Sequence, residues 1–180
     1  MDFKTQGETM NKKQKGFSLI ELLIVVAIIL IIAAIAIPNL LRSRMAANEA
    51  SAVGTVRTVV TSEVTYASTW GQGFAAAVTN LGGAVPCVTP TAAAACLLDS
   101  AISVAPNQKS GYTITATGGG GAGTASSPNT QFETAAVPMK VGTTGQRTFC
   151  SDESGVVRFD VAGGADPATD VKCEALPALQ

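Results

Sequence analysis

Residues 17–37 read FSLIELLIVVAIILIIAAIAI, and this run decides how the chain is organised. Fifteen of the 21 residues are Leu, Ile, Val or Phe, four are Ala, and only Ser18 and Glu21 are polar. A helix of this length rises about 31 Å, which matches the ~30 Å hydrocarbon core of a bilayer. The apolar side chains contribute about −6 kcal/mol to insertion, whereas one carboxylate costs at most ~3 kcal/mol. The run therefore predicts a membrane-spanning helix rather than a buried core helix. It is also longer than the 7–15 apolar residues of an ordinary signal peptide.

Basic residues flank the run on both sides. Lys12, Lys13 and Lys15 precede it, which favours a cytoplasmic N-terminus. Arg42 and Arg44 follow it and act against that bias. Charge alone therefore favours one orientation without deciding it.

Glu21 is the one charged residue inside the apolar run, about one turn from its start. A carboxylate in hydrocarbon is costly unless it is protonated or paired, so a glutamate at this position suggests a functional role. The alternative is that its side chain merely reaches the membrane interface.

The stretch GFSLIELLIVVAIILIIAAIAIPNLLRSR closely resembles the N-terminus of type IV pilins and of type II secretion pseudopilins. The resemblance covers residues 12 to about 45. It implies that a prepilin peptidase cuts between Gly16 and Phe17 and that the new amine of Phe17 is methylated. It also implies that Glu21 pairs with the Phe17 amine of a neighbouring subunit during assembly. Such a contact joins two different surfaces, and contacts of this kind that do not close a ring give helical filaments.

Two features depart from the common pilin pattern. Leu30 stands where many pilins have glycine, so we expect a stiffer helix in which Pro38 is the main break. The leader, residues 1–16, is long, and Met10 is the expected true start of the chain.

The helix is predicted to continue from Pro38 to about residue 70. Apolar side chains there recur at three- and four-residue intervals, which is typical of an amphipathic helix. The predicted stripe consists of Val53, Val56, Val60, Val64 and Ala67. We expect it to pack on a globular head at residues 71–180.

The head is predicted to contain a connecting loop region followed by an antiparallel sheet. Short helical pieces are expected at 74–81 and 91–102, and strands at 112–115, 131–137, 147–150 and 156–161. The glycine-rich residues 118–123 are predicted to form a surface loop. They do not predict a phosphate-binding site, because no Lys-Ser/Thr pair and no helix follows them. The predicted fold is α+β and type IV pilin-like: one long helix packed on an antiparallel sheet.

Four cysteines, Cys87, Cys96, Cys150 and Cys173, all follow the predicted span. An exported domain with four cysteines predicts two disulfides, with three possible pairings. The pairing between sequence neighbours, Cys87–Cys96 and Cys150–Cys173, is the expected one. Its second member resembles the C-terminal disulfide loop that is common in type IV pilins.

Composition excludes several function classes. The chain has no histidine, which excludes Ser–His and Cys–His catalysis and histidine-ligated metal sites, so no enzyme activity and no cofactor is expected. From Glu49 onward, six basic and ten acidic residues give a net charge of −4, a poor match for nucleic acid. No metal site is expected, and Asp152, Glu153 and Asp160 are retained as a calcium candidate.

The expected function is that of a structural subunit of a type IV pilus. The precursor would lie in the bacterial inner membrane with one span, and the processed chain would polymerise into a homo-oligomeric filament at the cell surface or in the periplasm. By resemblance, its partners are the prepilin peptidase and an inner-membrane assembly platform with its ATPase. The alternatives are a type II secretion pseudopilin and, from another class, a membrane-anchored periplasmic binding domain.

Overall fold

A computed structural model describes residues 16–83, 86–164 and 172–179. The expected leader with Met10, apart from Gly16, and residues 165–171 of the C-terminal loop lie outside these ranges. The chain divides into two compact units, residues 1–39 and residues 40–180.

The predicted long helix is confirmed as helix α1, Leu19–Trp70, with 52 residues. The expected break at Pro38 is not observed, because Pro38 lies inside α1 and the helix continues on both sides of it. Proline removes one backbone donor and crowds the preceding turn, but the other hydrogen bonds of a long helix remain available.

The second unit contains a five-stranded antiparallel sheet in which sequential strands are neighbours, in the order β1-β2-β3-β4-β5. The strands are β1 (Gln108–Lys109), β2 (Tyr112–Gly119), β3 (Gln131–Pro138), β4 (Thr148–Asp152) and β5 (Arg158–Asp160). The predicted α+β class with an antiparallel sheet is confirmed. β2 is longer than predicted because Gly118 and Gly119 still pair with β3, so the glycine-rich loop begins later.

The two faces of the sheet carry different partners, because side chains alternate along each strand. Ile114, Ala136 and Phe149 lie on one face and share a core with Val56 and Val59 of α1. On the opposite face, Ala135 and Cys150 pack with Cys173, and Leu176 contacts them from the C-terminal tail. β3 is therefore covered on both sides.

The buried face of α1 in this unit differs from the predicted stripe. Its members recur at helical spacing and include several polar residues: Glu49, Ala52, Thr55, Val56, Val59, Ser62, Glu63 and Tyr66. Val64, a member of the predicted stripe, is 57% exposed. Thr55 and Ser62 can be buried because each hydroxyl donates to the carbonyl four residues earlier, at 2.9 Å. The polarity of a side chain was thus a poor guide to which face is buried.

Glu49 joins α1 to the sheet. Its Oε1 accepts the backbone N–H groups of Gln146 and Arg147 at 2.9 and 3.2 Å, and its Oε2 pairs with the Arg147 guanidinium at 2.8 Å. That guanidinium also lies over the rings of Phe149 and Phe159, 5.3 and 5.5 Å from their centroids. Burial alone would raise the pKa of Glu49, but these donors outweigh it and lower the pKa below its ordinary value.

The region between α1 and β1 contains two short helices, α2 (Val78–Leu81) and α3 (Ser100–Ser103). The helical piece expected at 91–102 is therefore wrong over most of its length. Residues 95–98 donate backbone hydrogen bonds to Asn80, Leu81 and Gly82 instead of forming their own helix. Cys96 has a φ of 59°, which a right-handed helix does not allow.

Candidate assembly site at the start of the apolar helix

The bond between Gly16 and Phe17 lies just before α1, in a non-helical segment. Phe17 is 81% exposed. A Cβ placed on Gly16 would meet no heavy atom within 4 Å, apart from its chain neighbours, among the described residues. The predicted cleavage point is thus open to solvent, as proteolysis requires.

Ser18 and Glu21 together begin the helix. The Leu22 N–H donates to the Ser18 carbonyl at 3.2 Å, so Ser18 occupies the N-cap position. The Glu21 Oε2 reaches back and accepts the Ser18 N–H at 3.4 Å. This is the glutamate half of a capping box, and the sequence carries its Ser-x-x-Glu signature. The role of Ser18 was not predicted, although the Ser-x-x-Glu signature is present in the sequence.

The apolar side chains that follow are exposed on every side of the helix. Among the large hydrophobic residues of 17–37, exposure runs from 46% at Val26 to 81% at Phe17. The most apolar window of α1 is 0% buried, and α1 is the one described helix that is long and apolar enough to cross a membrane. A core helix would be mostly buried. This surface therefore requires lipid or other protein around it.

Glu21 is the one charged residue between Lys15 and Arg42 in the sequence. Its carboxylate accepts hydrogen bonds and attracts cations, and its position in the first turn suits the positive end of the helix dipole. A cut after Gly16 would place an ammonium group on Phe17, four residues before Glu21 in the sequence. One carboxylate thus lies close in sequence to the amine that cleavage would create, and apart from Ser18 the other residues around it are apolar.

The predicted disulfide residues lie in the second unit. Cys87 is bonded to Cys96, and Cys150 is bonded to Cys173. This is the predicted pairing between sequence neighbours. The Cα–Cα separations of 5.9 and 5.8 Å lie in the usual disulfide range. The second bond attaches the C-terminal tail to the middle of the sheet.

The calcium candidates are not brought together. Asp160 pairs with Thr148 at one end of β4, whereas Asp152 lies at the other end, about 13 Å away at ~3.4 Å per residue. The Asp152 Oδ1 accepts the Ser154 N–H at 2.9 Å, and the Asp160 Oδ1 accepts the Ala162 N–H at 3.0 Å. Within the described ranges, no three acidic or cysteine side chains form a group that could hold a metal ion.

Comparison with known proteins finds similarity at the N-terminal end. Residues 11–37 match the family described as the prokaryotic N-terminal methylation motif. Over 38 residues the chain is 63% identical to the type IV wide pilus major component PilA4 of Thermus thermophilus. That match covers 21% of this chain and 29% of the relative. No solved structure matches. The similarity to the methylation motif and to the pilus component therefore covers at most 21% of the chain.

Proposed function

We propose that this chain is a structural, non-catalytic subunit of a type IV pilus. The precursor is cut between Gly16 and Phe17, methylated on the Phe17 amine and polymerised through the first part of α1. The match of residues 11–37 to the N-terminal methylation motif supports the processing step.

One observation carries the assembly step: a helix exposed all round, with a single carboxylate beside an accessible cleavage point. In a bilayer the exposed side chains contact lipid. In a filament they contact the same helices of other subunits, so the apolar surface stays out of water in both states. Apolar contacts are similar at many axial positions of a neighbouring helix, whereas the charge of Glu21 favours one position.

The pairing of Glu21 with a neighbour's Phe17 amine gives each subunit one donor and one acceptor at different heights. Repeating this contact builds a helix of subunits rather than a closed ring. A buried ion pair adds little net stability after desolvation, so the pair acts chiefly on register. The weak 3.4 Å hydrogen bond from Ser18 leaves the Glu21 carboxylate available for exchange to that stronger partner.

The proposal implies a set of partners and two locations. A prepilin peptidase processes the chain, and an inner-membrane assembly platform with its ATPase extracts it. The chain is anchored in the inner membrane by one span before assembly and lies in a surface filament afterwards.

Substitution of Glu21 by alanine tests the pairing. We expect Glu21→Ala to be inserted and cleaved normally but absent from the sheared filament fraction, measured by immunoblot and electron microscopy. Glu153→Ala is the matched control, because Glu153 is an exposed acid of the second unit. Filament yield at the control level in Glu21→Ala would overturn the pairing role.

Intact-mass analysis and N-terminal sequencing of membrane-extracted protein test the processing. The expected mature chain begins at Phe17 and carries one methyl group. A mature chain that retains residues 11–16 would contradict the whole proposal.

A further inference from the structure

Glu63 is a carboxylic acid that the assembly site does not use, and it is 0% exposed in the core of the second unit. It lies on the buried face of α1, beneath residues 71–77, which connect α1 to α2 and are called loop 71–77 here. Its Oε2 accepts the Ala75 N–H at 2.7 Å. Its Oε1 is buried and accepts no hydrogen bond from the described residues.

The surroundings of Glu63 offer no opposite charge. Residues 64–98 and 110–132, which supply the end of α1, loop 71–77, α2 and β2, contain no Lys, Arg, Asp or Glu. Burial is the largest influence and raises the pKa of Glu63 to about 7, and the Ala75 N–H opposes it. A buried carboxylate without a cation or a full set of donors is among the most costly groups in a protein interior.

The titratable neighbours do not change this balance. Tyr66, on the same helix face, is neutral near pH 7, and the Glu63 charge raises the pKa of its hydroxyl further. Tyr112 is the one titratable residue of β2; burial raises the pKa of its hydroxyl, with smaller contributions from Glu49 and Arg147 and none from Glu63. Cys96 is held in a disulfide, and Asp99 is exposed and caps α3.

Loop 71–77 is attached mainly through Asn129. The Phe74 N–H donates to the Asn129 carbonyl at 3.1 Å, the Asn129 N–H donates to the Gln72 carbonyl at 2.9 Å, and the Asn129 Nδ2 donates to the Phe74 carbonyl at 3.0 Å. The Gly118 N–H also donates to the Ala76 carbonyl, at 3.3 Å. Tyr66 donates to the Ala92 carbonyl at 2.7 Å on the next segment. A charged Glu63 can gain water most readily by displacing this loop, because the loop contributes one buried residue, Ala75, to the main core, whereas α1 contributes four.

We propose that Glu63 is a pH-sensitive latch: protonated, it holds loop 71–77 against α1, and ionised, it loosens that loop. The folded state binds the proton more tightly than the unfolded chain does. The resulting stability is complete below pH 4.5, is lost as the pH rises from 4.5 to about 7, and does not fall further above that. The difference between the unfolded pKa of 4.5 and the folded pKa of about 7 corresponds to about a 300-fold change in the folding equilibrium over the full pH range.

The test compares unfolding of the full chain in detergent micelles at pH 5 and pH 8 for the wild type, Glu63→Gln and Glu153→Gln. Glu153 is exposed and receives the same chemical change. We expect the folding constant of Glu63→Gln, relative to wild type, to rise by about 70-fold from pH 5 to pH 8, because the unfolded carboxyl is already mostly ionised at pH 5. For Glu153→Gln this ratio should stay constant. A ratio for Glu63→Gln that does not change with pH would overturn the latch.

Two measurements on the wild type keep the test independent of how well the variant folds. Carbon NMR should find the Glu63 carboxyl titrating well above 4.5. The hydrogen-exchange protection factor of the Ala75 amide should fall from pH 6 to pH 8, while that of the Ile114 amide, bonded to the Asn107 carbonyl, stays constant. Titration of the carboxyl near 4.5, or equal protection of Ala75 at both pH values, would refute the proposal.

Discussion

Glu49 and Glu63 lie on the same buried face of α1 and have opposite electrostatic surroundings. Both oxygens of Glu49 are occupied, by two backbone N–H groups and by the Arg147 guanidinium. Among the residues that the structure describes, only one oxygen of Glu63 has a donor. Donors stabilise the carboxylate at Glu49 and lower its pKa, whereas burial without a counter-charge raises the pKa of Glu63.

Replacement of Glu49 tests the link between α1 and the sheet. We expect Glu49→Gln to lower the free energy of unfolding by about 1–3 kcal/mol at pH 7, because it removes charge-assisted hydrogen bonds. The Arg147 side chain is 38% exposed, so water replaces part of the loss. Urea unfolding of the full chain in micelles measures the change.

The pH dependence of Glu49→Gln distinguishes this explanation from a general packing defect. Because the folded pKa of Glu49 is lowered, its contribution is present above the unfolded value and is lost as the pH falls through the folded value. The difference between wild type and Glu49→Gln should therefore shrink in acid. A difference that is the same at pH 3 and pH 7 would show that the charge is not responsible.

At the scale of the element, α1 is a single helix with two kinds of surface. In residues 17–37 nearly every position is apolar and exposed, so no face is distinguished. In the second unit one face is buried, and hydroxyl groups on that face donate hydrogen bonds to backbone carbonyls of the same helix.

A pair of valines tests which face of α1 is buried. Val59 is 0% exposed and Val64 is 57% exposed, although Val64 belongs to the stripe predicted from the sequence. We expect Val59→Ala to cost about 2 kcal/mol, because it leaves a cavity in the core, and Val64→Ala to cost less than about 0.5 kcal/mol. Chemical denaturation of both variants under the same conditions measures the difference. Equal losses would mean that both valines contact the core.

The elements that sequence reasoning predicted well are those with a strong local signal. The apolar run predicted the first part of α1. The alternation at 112–115 and the extended segment at 131–137 predicted two central strands, although the boundaries of both differ in the structure. The buried face of α1 was predicted only in part: Val56 is buried and Val53 packs against the core, but Val64 is exposed. The polar residues of that face were missed, because a threonine whose hydroxyl donates to its own helix is polar in sequence and can still be buried. The two-residue strand β1 was not predicted, since its pairing depends on the neighbouring β2.

At the scale of the whole molecule, the second unit carries its own core. Every buried hydrophobic residue lies between Ala52 and Cys173 among the described residues, and both disulfides lie in the same range. The first unit contributes no buried hydrophobic side chain within its described part. Stability of the head should therefore not depend on the apolar run.

A fragment of residues 40–180 tests that independence. Produced under oxidising conditions, it should be monomeric without detergent and unfold cooperatively on heating, because its core and both disulfides are complete. Analytical ultracentrifugation and circular dichroism measure these properties. Aggregation, or a non-cooperative melt with both disulfides formed, would show that the head needs the first unit.

The candidate site, like the fold, could be predicted from the sequence only in part. The isolated Glu21, the Gly16–Phe17 junction and the flanking charges are local features, so they could be read directly. The capping by Ser18 was overlooked, and the burial of Glu63 could not have been predicted, since it depends on a loop folding over one particular face of α1.

The C-terminal tail has a further consequence for a chain that we propose is crowded against its own copies. Pro177 and Leu179 form backbone hydrogen bonds with Phe159 and Val157, along the outer strand of the sheet. At the opposite margin, β1 is only two residues long. Within the described part of the chain, neither margin presents a long row of free amides and carbonyls, which is the template for strand-by-strand aggregation. Dense packing can thus proceed through helices without seeding amyloid-like stacking of the heads.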